Sequence, residues 1–182
     1  MVLAALVLGV GSALWVINAA SGFGAIRNGA WTTSPLVGSA EAGMYVRAVI
    51  ARIALFTLNR TETIYYNAVT DDRGEPLRSE CDYVIEGRDI DARWWSITVY
   101  GEDHFLVPNA ANRYSYNMKN IARDEKGGYE IHLSGTPKQG NWLPSGEKGR
   151  LSLTLRAYNP APSLYENMGT ARLPSIRKVG CP

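Results

Sequence analysis

Charged side chains are missing from Met1 to Ile26, and Val2 to Ala20 is an apolar run interrupted only by Ser12 and Asn18. A segment so poor in charge argues against a solvated start and for a bilayer. At about 1.5 Å of rise per residue, about 20 helical residues cross a hydrocarbon core about 30 Å thick. Small residues from Asn18 to Gly22 resemble a processing site. A cleaved secretory signal, however, has a positive leader and an apolar core of only about 7–15 residues. The uncharged opening and the longer run favour a retained anchor, so residues 1–22 are expected to form a transmembrane helix, with 2–20 in lipid. Trp15 and Phe23 would suit an interfacial belt. Arg27 is the first basic residue after the helix. A literal positive-inside count would place the following domain in the cytoplasm, but large domains translocate largely regardless of charge, so the expectation is an exported domain on a single-pass anchor.

Cysteine and histidine are scarce, at two each. Cys81 and Cys181 stand in no CxxC or Cys/His spacing, which argues against a zinc site and leaves no metal centre to expect. In an exported domain such a pair can bridge and pin the tail; in a reducing compartment it would be two unrelated thiols. The chain has no GxSxG elbow, HExxH pair, Walker loop or GxGxxG turn, so no hydrolase, metalloprotease or nucleotide signature is present and no cofactor is expected. With 19 basic and 17 acidic residues and no long run of one sign, the charge pattern gives no nucleic-acid footprint.

What remains is enough for one domain. Residues 23–39 are rich in Gly, Pro, Ser and Thr and read as a linker, leaving 40–182 as the domain. Ser39 can cap a helix, Glu41 suits its first turn, and Val46, Val49, Ile50, Ile53 and Phe56 recur at helical spacing, which predicts an amphipathic helix over Ala40 to Leu58. Arg47 and Arg52 flank its apolar stripe. Beyond Asn59 the pattern alternates. Strands are predicted at Thr63 to Thr70, Cys81 to Glu86, Arg93 to Tyr100, Arg113 to Tyr116, Tyr129 to Ser134 and Arg150 to Tyr158. Leu151, Leu153, Leu155 and Ala157 share one face of the last, with Ser152, Thr154, Arg156 and Tyr158 opposite. Trp95, Ile97 and Val99 oppose Trp94, Ser96, Thr98 and Tyr100 in the same way. The predicted class is mainly β: an antiparallel β-sandwich or jelly-roll-like domain with one packed helix behind the transmembrane segment.

The motifs Arg93-Trp94-Trp95-Ser96-Ile97-Thr98-Val99-Tyr100, Leu106-Val107-Pro108-Asn109, Asn112-Arg113-Tyr114-Ser115, Asn141-Trp142-Leu143-Pro144 and Leu153-Thr154-Leu155-Arg156-Ala157-Tyr158-Asn159-Pro160 occur in that order. Over about residues 65–160 they resemble the bacterial family known as domain of unknown function 1214. That resemblance implies a β-rich fold and a place in the bacterial envelope, with no agreed activity and no catalytic residue to transfer. Larger relatives carry a further N-terminal domain, and the helix in its place resembles the short, membrane-anchored branch. The implied location is the bacterial inner membrane, with the C-terminal domain in the periplasm.

Chemistry-bearing candidates are few. Glu102-Asp103-His104 follows a strand, where loop residues often act, but it also reads as a solvated turn. His132 is the other imidazole, on the outer face of its strand. A Ser-His-Asp arrangement would have to bring Ser96 or Ser115 to one of these histidines and Asp103. Amphipathic aromatics and amides are denser, with Trp94, Tyr100, Asn112, Arg113, Tyr114 and Trp142 as binding candidates, because such side chains stack and hydrogen-bond with sugars or peptides. Plain packing is the competing role, and Arg113 and Arg156 are expected to lay their stems on apolar surface while pairing with Asp or Glu. The residues favour a non-catalytic, membrane-anchored module that binds a subunit of a membrane complex or a cell-wall glycan. An envelope glycan or ester hydrolase is the alternative.

Overall fold

The computed structural model describes residues 2–19, 24–52, 57–147 and 149–181, without the side chains of residues 18, 19 and 52. The chain divides into two units, Met1–Ala25 with Ser34–Arg60, and Ile26–Thr33 with Thr61–Pro182.

The first unit carries two helices. α1, Val2–Ala19, has no charged residue at either end, and Val2, Leu3, Leu6, Val7, Leu8, Val10, Leu14 and Trp15 are all exposed. Its 18 residues rise about 27 Å, short of a hydrocarbon core of about 30 Å. Among the described residues no helix is long and apolar enough to cross a membrane. Residues 20–22 of the expected span lie outside the described set.

α2 is Met44–Arg52, shorter than the helix predicted over Ala40 to Leu58. Ser39 caps a separate turn instead: its Oγ accepts from the Glu41 N–H at 3.1 Å and its carbonyl from the Ala42 N–H at 3.2 Å. The helix proper starts with the Arg47 N–H donating to the Gly43 carbonyl. Arg47 folds back, its guanidinium donating to the carbonyls of Ala42 and Ala40 at 2.9 Å each. Thr57 and Leu58 are not helical, and residues 53–56 lie outside the described set.

The second unit is β-rich. Its strands are β1 Ile26–Asn28, β2 Trp31–Thr33, β3 Thr63–Ala68, β4 Asp82–Arg88, β5 Ala92–Gly101, β6 Ser115–Asn117, β7 Gly128–Ser134, β8 Asn141–Pro144, β9 Leu151–Pro160 and β10 Ser175–Gly180, with a short helix α3 at Pro162–Glu166. They form a six-stranded sheet in the order β1-β2-β3-β9-β5-β6 and a four-stranded sheet in the order β10-β4-β7-β8. Every pair is antiparallel except β7 with β8, which departs from the expected wholly antiparallel arrangement. Asn141 is the anchor of that exception. It is buried at the start of β8, donates to the carbonyls of Ala122 and Glu130, and accepts from the Ala122 N–H, so the chain is held alongside β7 rather than turned back as a hairpin.

The two sheets share one core. Ile64, Tyr66, Trp95, Ile97, Val99, Leu153, Leu155 and Ala157 come from the larger sheet, and Tyr83, Ile85, Ile131, Leu133, Leu143 and Ile176 from the smaller. Those of β5 and β9 are the inward positions that the alternation of the two strands predicts. Residues 26–33, expected within a linker, are part of this unit. Gly29, with φ of 61°, turns β1 into β2. The buried Trp31 then donates its indole N–H to the Pro174 carbonyl at 2.6 Å. At the other end of the chain β10 pairs with β4 and is tied down by the Cys81–Cys181 disulfide, whose Cα atoms are 4.2 Å apart across 100 residues.

Candidate binding surface

Strand register assembles one continuous outward face on the larger sheet. Tyr65, Arg156, Ser96 and Asn117 form one row across β3, β9, β5 and β6, while Asn67, Thr154, Thr98 and Ser115 form the next. Trp94 stands opposite Tyr158 at one end of β5, and Tyr100 opposite Ser152 at the other. Toward the far edge Thr32 pairs with Asn67 and Arg27 with Thr32. Side chains alternate across a strand, so these residues all point away from the core.

The face is chemically one-sided: two arginines and many hydroxyls, amides and aromatic rings, but no Asp or Glu at any of these positions. Arg156 sits at its centre. Its guanidinium donates to Tyr100 Oη at 2.8 Å and Thr98 Oγ1 at 3.3 Å, and lies 5.5 Å from the centroid of the Tyr100 ring. The sequence led us to expect a carboxylate partner, but the salt bridges among the described residues are Arg78–Glu80, Arg123–Asp89 and Lys138–Asp82. Arg156 is therefore positioned by hydroxyls and a ring that leave its charge uncompensated. Trp94 meets Tyr158 edge-on at 5.2 Å and 65°, and Thr154 Oγ1 donates to Asn67 Oδ1 at 2.8 Å.

Trp94 and Tyr100 therefore share a face, but the other binding candidates do not join them. Arg113 and Trp142 meet where the edge strands β6 and β8 come together. Arg113 donates to the Trp142 carbonyl at 3.0 Å, and Tyr116 Oη donates to the same oxygen at 3.2 Å. The Arg113 guanidinium also covers the rings of Tyr116 at 5.7 Å and Trp142 at 6.0 Å. Satisfying an edge-strand carbonyl with side chains closes a pairing site, which is a structural job and not the acid pairing expected of Arg113. Asn112 adopts φ of 48°, and its Oδ1 accepts from Tyr114 Oη at 3.4 Å in the loop before β6.

The weak catalytic candidates are not brought together. Asp103 caps the tip of the hairpin after β5, its Oδ1 accepting from the Phe105 N–H at 3.0 Å. His104 is exposed there, with φ of 66°. A cleft of about 570 Å³ is lined by Asp103, Glu102, Glu147, Phe105 and Arg150, and His104 is not part of its wall. His132 lies on β7, on the smaller sheet, in register with Val84 on one side and Trp142 on the other. Ser96 and Ser115 are on the larger sheet. The Asp82 carboxyl is held low by hydrogen bonds from Lys138 and Ser134. Burial pushes the Tyr66 phenol up to about 12 and raises those of Tyr129 and Tyr83. None of these is poised near neutrality for proton transfer. No group of three His, Cys, Asp or Glu residues among those described could hold a metal.

Residues 62–162 match the family described as protein of unknown function, DUF1214. The chain belongs to this family. The DUF1214 segment runs from just before β3 to the start of α3, so it contains β9, β5 and β3, which build the central part of the face. Among solved structures, the VPA0106 protein from Vibrio parahaemolyticus is similar at 25% identity and a TM-score of 0.64, over 77% of this chain and 36% of that one. An uncharacterized protein from Burkholderia cenocepacia is similar at 17% identity and a TM-score of 0.46, over 92% of this chain and 40% of that one. The chain thus spans well under half the length of either. No curated protein matches it.

Arg156 was legible in the sequence as an outward strand residue with an acid partner expected. Its place at the centre of a carboxylate-free face depends on β9 lying between β3 and β5, a pairing of segments far apart in the chain.

Proposed function

We propose that this DUF1214 protein is a membrane-anchored, periplasm-facing, non-catalytic accessory module that binds its partner through the outward face of β3, β9 and β5. The observation that carries the reading is the guanidinium of Arg156 held by Tyr100 and Thr98, on the same face as the Trp94–Tyr158 pair, with no carboxylate at the outward positions named above. Binding surfaces are enriched in Tyr, Trp and Arg and depleted of Asp and Glu, which is the composition of this face. The anchor rests on α1, apolar on every side with its large side chains exposed, as a helix facing lipid would be. An oxidising compartment is consistent with the Cys81–Cys181 bridge.

The test is extraction of the full chain in mild detergent and measurement of partner retention. Trp94→Ala and Arg156→Gln should each lose the partner with an unchanged melting temperature, while His104→Ala and Asp103→Asn should retain it. Turnover of an envelope ester or glycan by the purified chain, abolished by His104→Ala, would replace this reading with the hydrolase.

A further inference from the structure

The same face specifies the chemistry of its ligand. We infer that it receives a carboxylate-bearing glycan, with sugar rings on Trp94 and Tyr158 and an acidic substituent on Arg156; this rests on the reading of the face as a binding surface.

Four features lead there. The first is shape. Trp94 and Tyr100 are six residues apart on β5, about 20 Å at the rise of an extended strand. Between them the positions are small, and Ser96, Thr98 and Thr154 are buried beneath their larger neighbours. The result is a stretch between two aromatic groups, crossed by the Arg156 side chain that reaches Thr98 and Tyr100, and longer than a single sugar ring.

The second is polarity. None of the outward positions named above carries Leu, Ile, Val or Met, and the hydroxyls, amides and phenols found there instead complement a polyol. The third is stacking. Trp94 and Tyr158 meet edge-to-face at 65°, so one face of one ring is used in the contact, and the ring that presents its edge keeps its π-face for the C–H face of a sugar.

The fourth is charge. Arg156 is held on two sides, by Thr98 and Tyr100, and Arg27 stands on the same face at the sheet's far edge. A guanidinium offers five donors in a fixed fork that matches a carboxylate. Its hydrogen-bond partners here are neutral hydroxyls and the Tyr100 ring beside it carries no net charge, leaving donors and a net positive charge for a ligand. A neutral glycan would satisfy the hydroxyls and rings and leave that charge unmatched.

The experiment is calorimetric titration of the full chain in detergent with four probes: tetragalacturonic acid, its methyl ester, an N-acetylglucosamine–N-acetylmuramic acid tetrasaccharide with free lactyl carboxylates, and the ester of that sugar. At least one acid should bind about tenfold or more tighter than its own ester, the scale of one charge-assisted hydrogen-bonded contact. Arg156→Gln should erase that preference, Arg156→Lys should restore part of it, and Trp94→Ala should weaken acid and ester alike. Melting temperatures of all variants should match the parent. Equal binding of acid and ester, or a preference that survives Arg156→Gln, overturns the inference. If no probe binds while a membrane partner is lost on Trp94→Ala and Arg156→Gln, the glycan is wrong and the binding face stands. If neither sugar nor partner depends on these residues, both fall.

Discussion

Opening the disulfide should cost this domain much of its stability, and the structure separates that cost from side effects. Cys81 is 2% exposed and belongs to the core, so replacing it would leave a cavity as well as break the tether. Cys181 is exposed beyond β10, so Cys181→Ser removes the cross-link with little change in packing. The bridge closes a loop across 100 residues, for which chain entropy gives about 4.7 kcal/mol. What the tether holds is β10, whose Ile176 is fully buried and whose Ile176 N–H donates to Asp72 Oδ2 at 2.7 Å. At roughly 2–4 °C per kcal/mol for a domain of this size, Cys181→Ser should melt about 10–20 °C below the oxidised parent. Reduced parent protein should melt with the variant. Native-state hydrogen exchange should place the loosening first in β10 and in its partner β4. Melting of the oxidised parent, the reduced parent and the variant within a degree or two of each other would refute the reasoning, because the tail would then be held by β-pairing and Ile176 alone.

Asp89 accepts from the buried Trp95 indole at 3.0 Å and pairs with Arg123 at 2.7 Å, so Asp89→Ala should destabilise the fold. The expected loss, read by urea unfolding, is about 1–3 kcal/mol, with Asp89→Asn milder because it keeps an acceptor. The Asp82 carboxyl is held below its ordinary range by Lys138 and Ser134, so its contribution is present above about pH 4 and is lost on acidification through the folded value. The pair is solvent-screened and worth at most about 1 kcal/mol; Lys138→Ala should flatten the acid limb of a melting-against-pH curve by that much. The Tyr66 phenol, raised to about 12 by burial, has the opposite sign: stability is full below about pH 10 and falls between about pH 10 and 12 as the unfolded chain ionises first. Tyr66→Phe should remove that alkaline loss in the same experiment. Arg113→Ala with Tyr116→Phe removes both donors to the Trp142 carbonyl at the β8 edge and should promote concentration-dependent association, measured by light scattering.

The long strands were readable because burial imposes a period of two on ten residues of β9 and ten of β5. Leu151, Leu153, Leu155 and Ala157 alternate cleanly enough to assign a face without any structure. Three-residue strands carry no such period, which is why β1 and β2 passed for a Gly-rich linker: the cue that Trp31 was core lay in its bond to Pro174, 143 residues away. The parallel β8 was hidden for the same reason, being fixed by the amide of Asn141 rather than by a turn motif. The candidate face was half legible. Trp94, Thr98, Tyr100, Thr154, Arg156 and Tyr158 each fell on the outward set of its own strand, but joining the two sets needed the β9–β5 pairing. Arg113 and Trp142 looked like ligand-binding residues because they are amphipathic, the same property that lets them seal a sheet edge.

The central claim is that the outward face of β3, β9 and β5 is occupied in the cell. Hydroxyl-radical footprinting of the protein in native membranes, compared with the purified chain in detergent, addresses it directly. The expected result is strong protection of Trp94, Tyr100 and Tyr158 in membranes, with Phe105 at the exposed hairpin tip oxidised equally in both. Equal oxidation of Trp94, Tyr100 and Tyr158 in the two preparations would contradict the account.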